Sequence, residues 1–343
     1  ARRLPGFFSE KIGVPVYPFE SPNFLPSAKN KQVNLVRSVA YNLFRLHKYL
    51  SSIRYINRMI KETGADVVVN FYELLTGLTY LFCHPKALMV CIAHQYLFLH
   101  PDFVFPGQNR LSLVSLKFFT RMTAIGATKK LALSFRKMRE VPSERIVVVP
   151  PLLRKEVLET TPVNGDYLHG YLLNSGFSEE IRSWHKVHPN VALHIFWDKK
   201  EVRPEVKVDS FLSFHQLNDT LFIRYMAGAK AYATTAGFES VCEAMYLGKP
   251  VLMVPTHIEQ SCNAFDAVQA GAGVVADRFD LDALLELSRT HRPNPAFSHW
   301  VKQADWLILR EFRLDLLMEE TPASLWRRLS TRWIYRLGKT LSI

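Results

Sequence analysis

The sequence predicts an α/β protein made of two doubly wound domains, each a parallel sheet flanked by helices. Two observations carry this prediction. Apolar runs of strand length alternate with amphipathic helical stretches along most of the 343 residues. The alternation stops at 151–166, where prolines, charged residues and turn formers crowd together, and then restarts. We therefore expect a first domain at 1–150, a linker at 151–166, a second domain at 167–290 and C-terminal helices at 291–343.

In the first domain the pattern begins with a short strand, interrupted by prolines, at 14–19. A long helix is expected at 30–62, because leucines and isoleucines recur there with a period close to that of an α-helix, and its polar face is basic up to Glu62. Apolar strands are expected at 66–70, 87–94, 129–135 and 145–151. A long loop rich in aromatic residues and proline is expected after the second of these strands.

The second domain repeats the alternation. Its strands are expected at 167–173, 191–197, 210–214, 231–235, 250–255 and 273–276. Helices are expected after the turn at 174–178 and at 218–229, 238–247, 260–270 and 280–288. Ligands of such sheets bind beyond the carboxyl ends of the strands, at helix N-termini. The candidate binding loops are therefore 70–77, 94–109, 174–178, 235–240 and 256–260.

Composition narrows the classes of function. The formal net charge of +12 and the pI of about 9.5 favour an anionic partner: a nucleic acid, an acidic membrane surface or a phosphorylated substrate. Nucleic acid is not expected, because no recognition motif accompanies the charge. The scattered cysteines argue for reduced cytosolic thiols rather than disulfides or a zinc site; they are Cys83, Cys91, Cys242 and Cys262. The sequence contains no apolar run of about 18 residues and no zinc-protease, P-loop or serine-hydrolase motif.

The stretch "ATTAGFESVCEAMYLGKPVLMVP", residues 233–255, contains the strongest candidate site. A strand ends, a turn of small residues follows and a helix begins, so the first helical N–H groups can bind an anion. Glu243 lies one turn after Ser240 and suits the vicinal hydroxyls of a ribose. The candidate residues are Thr235, Ala236, Gly237, Phe238, Ser240 and Glu243. The alternative interpretation is a helix capped by Thr235, with Glu243 as a solvated surface acid.

Two further loops offer polar groups at helix starts. The loop after the strand at 250–255 and the helix start that follows it carry groups suited to sugar hydroxyls or phosphates, namely His257, Glu259, Gln260 and Asn263. The loop after the first strand of the second domain is a small-residue turn that a phosphate could approach, formed by Asn174, Ser175 and Gly176. Each loop is equally compatible with a purely structural role as a helix cap.

The run "TTAGFESVCEAMYLGKPVLMVPTHIEQSCNAFDAVQAGAGV" resembles the donor-binding motif of GT-B nucleotide-sugar glycosyltransferases. It is similar to the families of the bacterial peptidoglycan-precursor GlcNAc-transferase and of the plant and animal UDP-glycosyltransferases. The resemblance implies two Rossmann-like domains and a nucleoside-diphosphate sugar, expected to be a UDP-sugar, as donor. By this resemblance the diphosphate would be held by Thr235, Gly237 and Ser240, the ribose by Glu243, and the sugar by Glu259 and Gln260.

The chain departs from these families in two places. Thr235 and Ala236 stand where many members have a histidine or a second glycine. Glu259 replaces the usual aspartate of the acid-glutamine pair, which leaves the identity of the sugar open.

The resemblance also implies an inverting reaction in which a base of the first domain deprotonates the acceptor hydroxyl. The candidates are His94, at the end of the strand at 87–94, and Glu73, after the strand at 66–70; a structural role fits either residue as well. A first domain of this type normally opens with a strand, a glycine-rich loop and a helix. This unit is missing from the predicted pattern, so we interpret the first domain as truncated at its start, where the base could also lie.

No metal or cofactor is expected. The one Asp-x-Asp triplet, Asp280-Leu281-Asp282, stands at a predicted helix start and is interpreted as a cap. GT-B enzymes use helix dipoles and hydrogen-bond donors to offset the charge of the leaving group. We therefore expect a metal-independent transferase.

The segment 322–343 combines leucines and tryptophans at helical spacing with basic residues and no acid. Such a helix suits an anionic membrane surface, although it could also pack back on the first domain. We therefore expect a cytoplasmic enzyme, peripheral on the inner face of the membrane, with a lipid or cell-envelope glycan as acceptor. Two alternatives stay open: a nucleotide-sugar 2-epimerase of the same fold, and a non-catalytic nucleotide-sugar-binding or membrane-associated protein.

Overall fold

The structure is a computed structural model that describes residues 13–22, 40–107, 110–173, 175–199 and 203–313. Its strands form two separate sheets that follow each other along the chain, one of four strands and one of seven. Strands alternate with helices in both halves. The predicted architecture of two doubly wound α/β units is therefore confirmed.

The first unit contains one parallel sheet with the strand order β1-β2-β3-β4. Its elements are α1 (Leu46–Glu62), β1 (Val67–Asn70), α2 (Leu74–Cys83), β2 (Leu88–Ala93), α3 (Arg110–Thr123), β3 (Lys129–Leu133) and β4 (Ile146–Val149). Strands β2 and β4 are buried along nearly their whole length. This burial on both faces explains why their sequences are continuous apolar runs rather than alternating ones.

The second unit contains the sheet β11-β10-β9-β5-β6-β8-β7. Its elements are α4 (Lys155–Leu158), β5 (Tyr167–Leu172), α5 (Ser178–Val187), β6 (Ala192–Trp197), β7 (Glu205–Lys207), β8 (Leu212–Gln216), α6 (Asp219–Gly228), β9 (Ala231–Thr234), α7 (Phe238–Tyr246), β10 (Val251–Met253), α8 (Ile258–Gln269), β11 (Gly273–Val275) and α9 (Leu281–Thr290). All neighbours are parallel except β7 and β8. The strand order reverses direction at β5, between β6 and β9, and ligands of open α/β sheets bind at such a switch point.

Several predicted elements differ from the structure. The strand expected at 14–19 is wrong, because the described part of it forms no ladder and its two prolines lack the donors a strand needs. The helix expected at 30–62 is described only from residue 40, and its continuous part is Leu46–Glu62. The loop expected after β2 instead contains a 3-10 helix, His94–Leu99, and the helix α3. The short edge strand β7 is an addition.

Two further helices, α10 (Pro295–Val301) and α11 (Ala304–Arg310), lead the chain from the second unit back onto the first. The indole Nε1 of Trp300 donates to the carbonyl of Ser134, just after β3, at 3.0 Å. Beyond α11, Glu311 pairs with Lys129 of β3 at 2.9 Å. The amphipathic helix predicted at 322–343 lies outside the described residues.

The apolar core joins the two units. One buried cluster runs from β2, β3 and β4 through Phe135 to the helices α7, α8 and α10. The Phe135 ring packs 4.8 Å from the ring of Phe238, at the start of α7. All four cysteines are free. No helix within the described ranges is long and apolar enough to cross a membrane.

Candidate functional site

The turn between β9 and α7 is tight and strained. Ala236 adopts a left-handed backbone with a φ of 64° and is fully buried, whereas Gly237 has an ordinary φ of −66°. A residue with a side chain in this region costs about 1–2 kcal/mol, and such strain is concentrated at functional turns. The small residue that this turn requires is therefore Ala236, while Gly237 occupies the N-cap position of α7.

The helix α7 begins directly beyond the carboxyl end of β9, which places its N-terminus at the sheet edge where an anion would bind. Thr235 is buried at this point and Ser240 is half-buried. The Ser240 hydroxyl donates to the carbonyl of Gly237 at 3.3 Å, a bond long enough to exchange readily for another acceptor. The structure thus brings the turn residues together as predicted; their role in binding a diphosphate stays a prediction.

Glu243 is not a solvated surface acid, as the alternative interpretation would have it. The residue is only 4% exposed, and Arg154 of the linker donates to both carboxylate oxygens, from Nε to Oε1 at 2.6 Å and from Nη2 to Oε2 at 2.7 Å. The remaining Nη1 of Arg154 donates to Asp219 at the start of α6. Burial raises the pKa of Glu243, and the Arg154 guanidinium opposes that rise.

The second polar cluster lies at the start of α8, the helix that follows β10, and β10 is the strand next to β9. Gln260 is buried, and its Oε1 accepts from both the backbone N–H and the hydroxyl of Thr256 at 2.8 Å. Glu259 accepts a hydrogen bond from Nε2 of Gln95 at 2.7 Å, and burial raises its pKa. His257 stands at the N-cap position, and burial lowers its pKa.

His94 faces this site from the first unit. Its ring stacks on that of Phe238 with the centroids 3.9 Å apart, so the candidate base touches the first residue of α7. Nδ1 lies 2.7 Å from the carbonyl oxygen of Leu133, which can only accept, so Nδ1 carries the proton. Nε2 is buried and makes no hydrogen bond within the described part of the chain. Burial lowers the pKa of His94 to about 4, which keeps the imidazole neutral at physiological pH.

Glu73 has a structural function in this state. Its carboxylate accepts from the backbone N–H of Leu75 at 3.0 Å, capping α2, and from the hydroxyl of Ser21 at 2.7 Å. Between the two candidate bases, only His94 presents an unprotonated lone pair beside the predicted donor residues. A catalytic role for either one stays a prediction.

The third predicted loop follows β5. Ser175 and Gly176 form a half-buried 3-10 turn with Phe177, immediately before α5. Asn174 lies outside the described residues. The turn lies at the carboxyl end of the strand that pairs with β9, so it belongs to the same sheet edge as the β9–α7 turn.

The Asp-x-Asp triplet is a helix cap, as interpreted from the sequence. Asp280 accepts from the backbone N–H of Ala283 at 3.0 Å, and Asp282 pairs with His188. Among the described residues, no group of three or more His, Cys, Asp or Glu side chains could hold a metal ion.

Two residues of this site were not predicted from the sequence. Gln95 bonds to Glu259, which lies 164 residues later in the sequence, and Arg154 bonds to Glu243, which lies 89 residues later. Arg154 lies in a stretch that the sequence marks only as a linker. Gln95 lies in the candidate binding loop 94–109, next to the candidate His94, but no motif singles it out there.

Comparison with known proteins agrees with the fold. A family model described as glycosyl transferase family 1 matches residues 23–287. The protein ugt-48 of Caenorhabditis elegans, whose name assigns it as a UDP-glucuronosyltransferase, is 31% identical over 111 residues. That match covers 31% of this chain and 19% of the relative, so the chain spans less than a fifth of that relative's length.

Two solved structures share the fold. The glycotransferase of kitacinnamycin superposes with a TM-score of 0.55 and 14% identity, covering 89% of this chain and 88% of that chain. LpCGTa, solved in complex with UDP, superposes with a TM-score of 0.50 and 13% identity, covering 84% of this chain and 82% of that chain. At these identities the likeness concerns the fold.

Proposed function

The chain belongs to glycosyl transferase family 1, and on this premise we propose that it transfers a sugar from a UDP-sugar to an acceptor hydroxyl. The observation that carries the proposal is the contact between the two halves of the site. The predicted donor residue Phe238 stacks on His94, and the predicted sugar ligand Glu259 bonds to Gln95. Donor-side and acceptor-side groups therefore meet where the carboxyl ends of the two sheets face each other.

The proposed donor lies along the carboxyl ends of the strands of the second sheet. The diphosphate would bind at the N-terminus of α7, where helix N–H groups and the Ser240 hydroxyl can donate to it. The ribose would bind Glu243, and the sugar would bind Glu259 and Gln260 at the start of α8, which follows the neighbouring strand β10. The name of the worm relative supports uridine as the base.

The proposed chemistry is a single displacement with inversion. The acceptor hydroxyl gives its proton to Nε2 of His94 while its oxygen bonds to the anomeric carbon. The bond from that carbon to the phosphate oxygen breaks, and UDP leaves with the electron pair. The Phe238 ring, which covers His94 in this structure, has to move aside for the acceptor to enter.

We propose that no metal is needed to offset the charge on UDP. The positive end of the α7 dipole and its N–H donors are aimed at the position where that charge develops. Chelation by EDTA is then expected to leave transfer unchanged, and a loss restored by Mg²⁺ or Mn²⁺ would contradict this part of the proposal.

The proposed acceptor is a lipid or a cell-envelope glycan, with the enzyme peripheral on the inner, anionic face of a membrane. The net charge of +12 supports this, as does apolar surface near the acceptor side of the site. Phe71, two residues before Glu73, is 65% exposed, and Val104, beyond the 3-10 helix at His94–Leu99, is 53% exposed. Liposome flotation with and without residues 322–343 tests this; equal flotation would remove the membrane role of that segment.

The donor assignment is tested by the thermal shift of the wild type and of Glu243→Ala with UDP and a panel of nucleotide sugars. UDP should raise the melting temperature of the wild type and not that of the variant, and no shift with any nucleotide would refute the donor site. Product analysis of the turned-over nucleotide sugar separates the alternatives. A transferred sugar supports the proposal, an epimerised sugar indicates the 2-epimerase, and binding without transfer or donor hydrolysis indicates a non-catalytic protein.

A further inference from the structure

Arg154 has no assigned role in the proposed reaction, yet it donates two hydrogen bonds to the candidate donor residue Glu243. It lies in the linker, just before α4, and connects two acids of the second unit that are 24 residues apart in the chain. We propose that Arg154 is a positioning residue that holds Glu243 fixed and ionised as the hydrogen-bond acceptor for the donor ribose. This inference rests on the proposed function.

The geometry of the pair fixes the carboxylate in one orientation. Nε and Nη2 of Arg154 donate to the two carboxylate oxygens of Glu243 at 2.6 and 2.7 Å. This is the bidentate arrangement, the strongest that an arginine forms with a carboxylate. Nη1 donates to Asp219, and the guanidinium lies 6.0 Å from the ring centre of Phe222. The arginine is thus held from two sides, and the glutamate it grips cannot rotate.

Arg154 is also the cation that opposes the effect of burial on Glu243. The other ionisable groups facing this carboxylate are Glu239 and the buried Cys242 of the same helix, Glu156 of α4 and the buried Tyr232 of β9, and the two acids raise its pKa further. Asp219 lies on the far side of the guanidinium. Removing Arg154 would leave a carboxyl group that is 4% exposed without a cation, and such a group takes up a proton.

The bidentate contact with Arg154 leaves Glu243 able to bind a ribose. Each carboxylate oxygen has two lone pairs, and Arg154 uses one on each. The second lone pairs remain for the two vicinal hydroxyls, which need an acceptor that is ionised and immobile. Both properties depend on Arg154, so the residue before α4 supplies a part of the nucleotide site that the β9–α7 segment lacks by itself.

The experiment measures binding of UDP and of uridine by calorimetry, without turnover. The variants are R154Q, R154K, E243Q and the double variant R154Q/E243Q. The matched control is R139Q, because Arg139 makes the same two-bond grip on a carboxylate, that of Asp102, at an exposed position outside the site. Circular dichroism checks that each variant is folded, and R154K with E243Q carries the test if R154Q does not fold.

R154Q should weaken UDP and uridine binding by the same factor, roughly tenfold or more. The reason is that Glu243, which is proposed to accept hydrogen bonds from the ribose, loses its charge-assisted bonds to Arg154. R154K should recover part of the affinity, and R139Q should bind as the wild type. As the pH is lowered, the affinity of R154Q should fall more than that of the wild type and of R139Q at the same pH, since its buried Glu243 is protonated more readily without the guanidinium. In the E243Q background R154Q should add little.

Each contrary result overturns the inference in an identifiable way. Binding by R154Q equal to or tighter than the wild type, or an undiminished effect in the E243Q background, shows that Arg154 does not act through Glu243. A loss confined to UDP, with uridine unaffected, makes Arg154 a phosphate ligand instead. A wild type that binds neither UDP nor uridine refutes the proposed function itself, which is a different outcome from a wild type that binds while R154Q is unaffected.

Discussion

Acid should destabilise the second unit through His169, a residue with no part in the proposed site. His169 lies in β5 with no exposed surface, its ring stacks on Tyr232 at 5.1 Å, and its Nδ1 lies 3.2 Å from the carbonyl oxygen of His194. Nε2 makes no hydrogen bond within the described residues. Burial, reinforced by the neighbouring His194 and His215, lowers the pKa of His169 to about 3.

The sign of the effect follows from the two pKa values. An unfolded chain restores the histidine pKa to about 6.5, so the unfolded state takes up a proton at a higher pH than the folded state. The contribution of His169 to stability is complete above that value and is lost as the pH falls towards 3. Between about pH 7 and about pH 5 the loss amounts to about 2 kcal/mol, a large part of a typical free energy of unfolding of about 5–15 kcal/mol.

The test compares the wild type with His169→Phe, which keeps an aromatic ring in this stacked position and cannot titrate. The free energy of unfolding is measured by urea denaturation, followed by tryptophan fluorescence, at both pH values. The wild type should lose about 2 kcal/mol more than the variant on acidification. His47→Gln, at an exposed position on α1, should behave as the wild type. Equal acid sensitivity of His169→Phe and the wild type would refute the argument, because every other buried histidine is common to both.

Three further predictions concern catalysis and packing. His94→Gln should retain UDP binding and lose transfer by a factor of about 100 or more, as expected for a general base, and a fully active variant would exclude that role. Gly77→Ala should destabilise the fold by about 3 kcal/mol in urea denaturation, because the new methyl would lie 2.3 Å from the backbone oxygen of Met122, whereas Gly107→Ala meets nothing within 4 Å and should be neutral. Trp300→Phe should cost about 1–3 kcal/mol by leaving the Ser134 carbonyl unpaired, and an unchanged urea midpoint would contradict this.

The sequence predicted the secondary-structure elements that depend on local periodicity. Apolar strands such as β4, and the strand-turn-helix unit around Ala236, are recognisable because each is specified by neighbouring residues. The helix α3 was missed because it follows a segment rich in aromatics and proline, and only its packing against α2 and α8 shows that it is helical. The edge strand β7 has three residues, too few to show a period.

The residues of the candidate site also fall into those that local sequence predicts and those that it does not. The candidate donor residues from Thr235 to Gln260 could be predicted because they share one continuous stretch of chain. Arg154 and Gln95 could not be found, since each contacts its partner only after two distant segments have been brought together by the fold. The left-handed turn at Ala236 also could not be assigned, because glycine is the usual residue for that conformation and Gly237 stands beside it.

The return of α10 and α11 to the first sheet has a consequence for how the protein is made. Trp300, which is 6% exposed, belongs to the same buried cluster as β2 and β3, and Phe297 and Ile308 fill the cluster that joins the two units. Domains emerging from the ribosome usually fold in order from the N-terminus. Here the first unit keeps part of its core open to water until the second has been synthesised and residue 308 has left the exit tunnel. The core of the half that is translated first is therefore completed only after the second half has been translated.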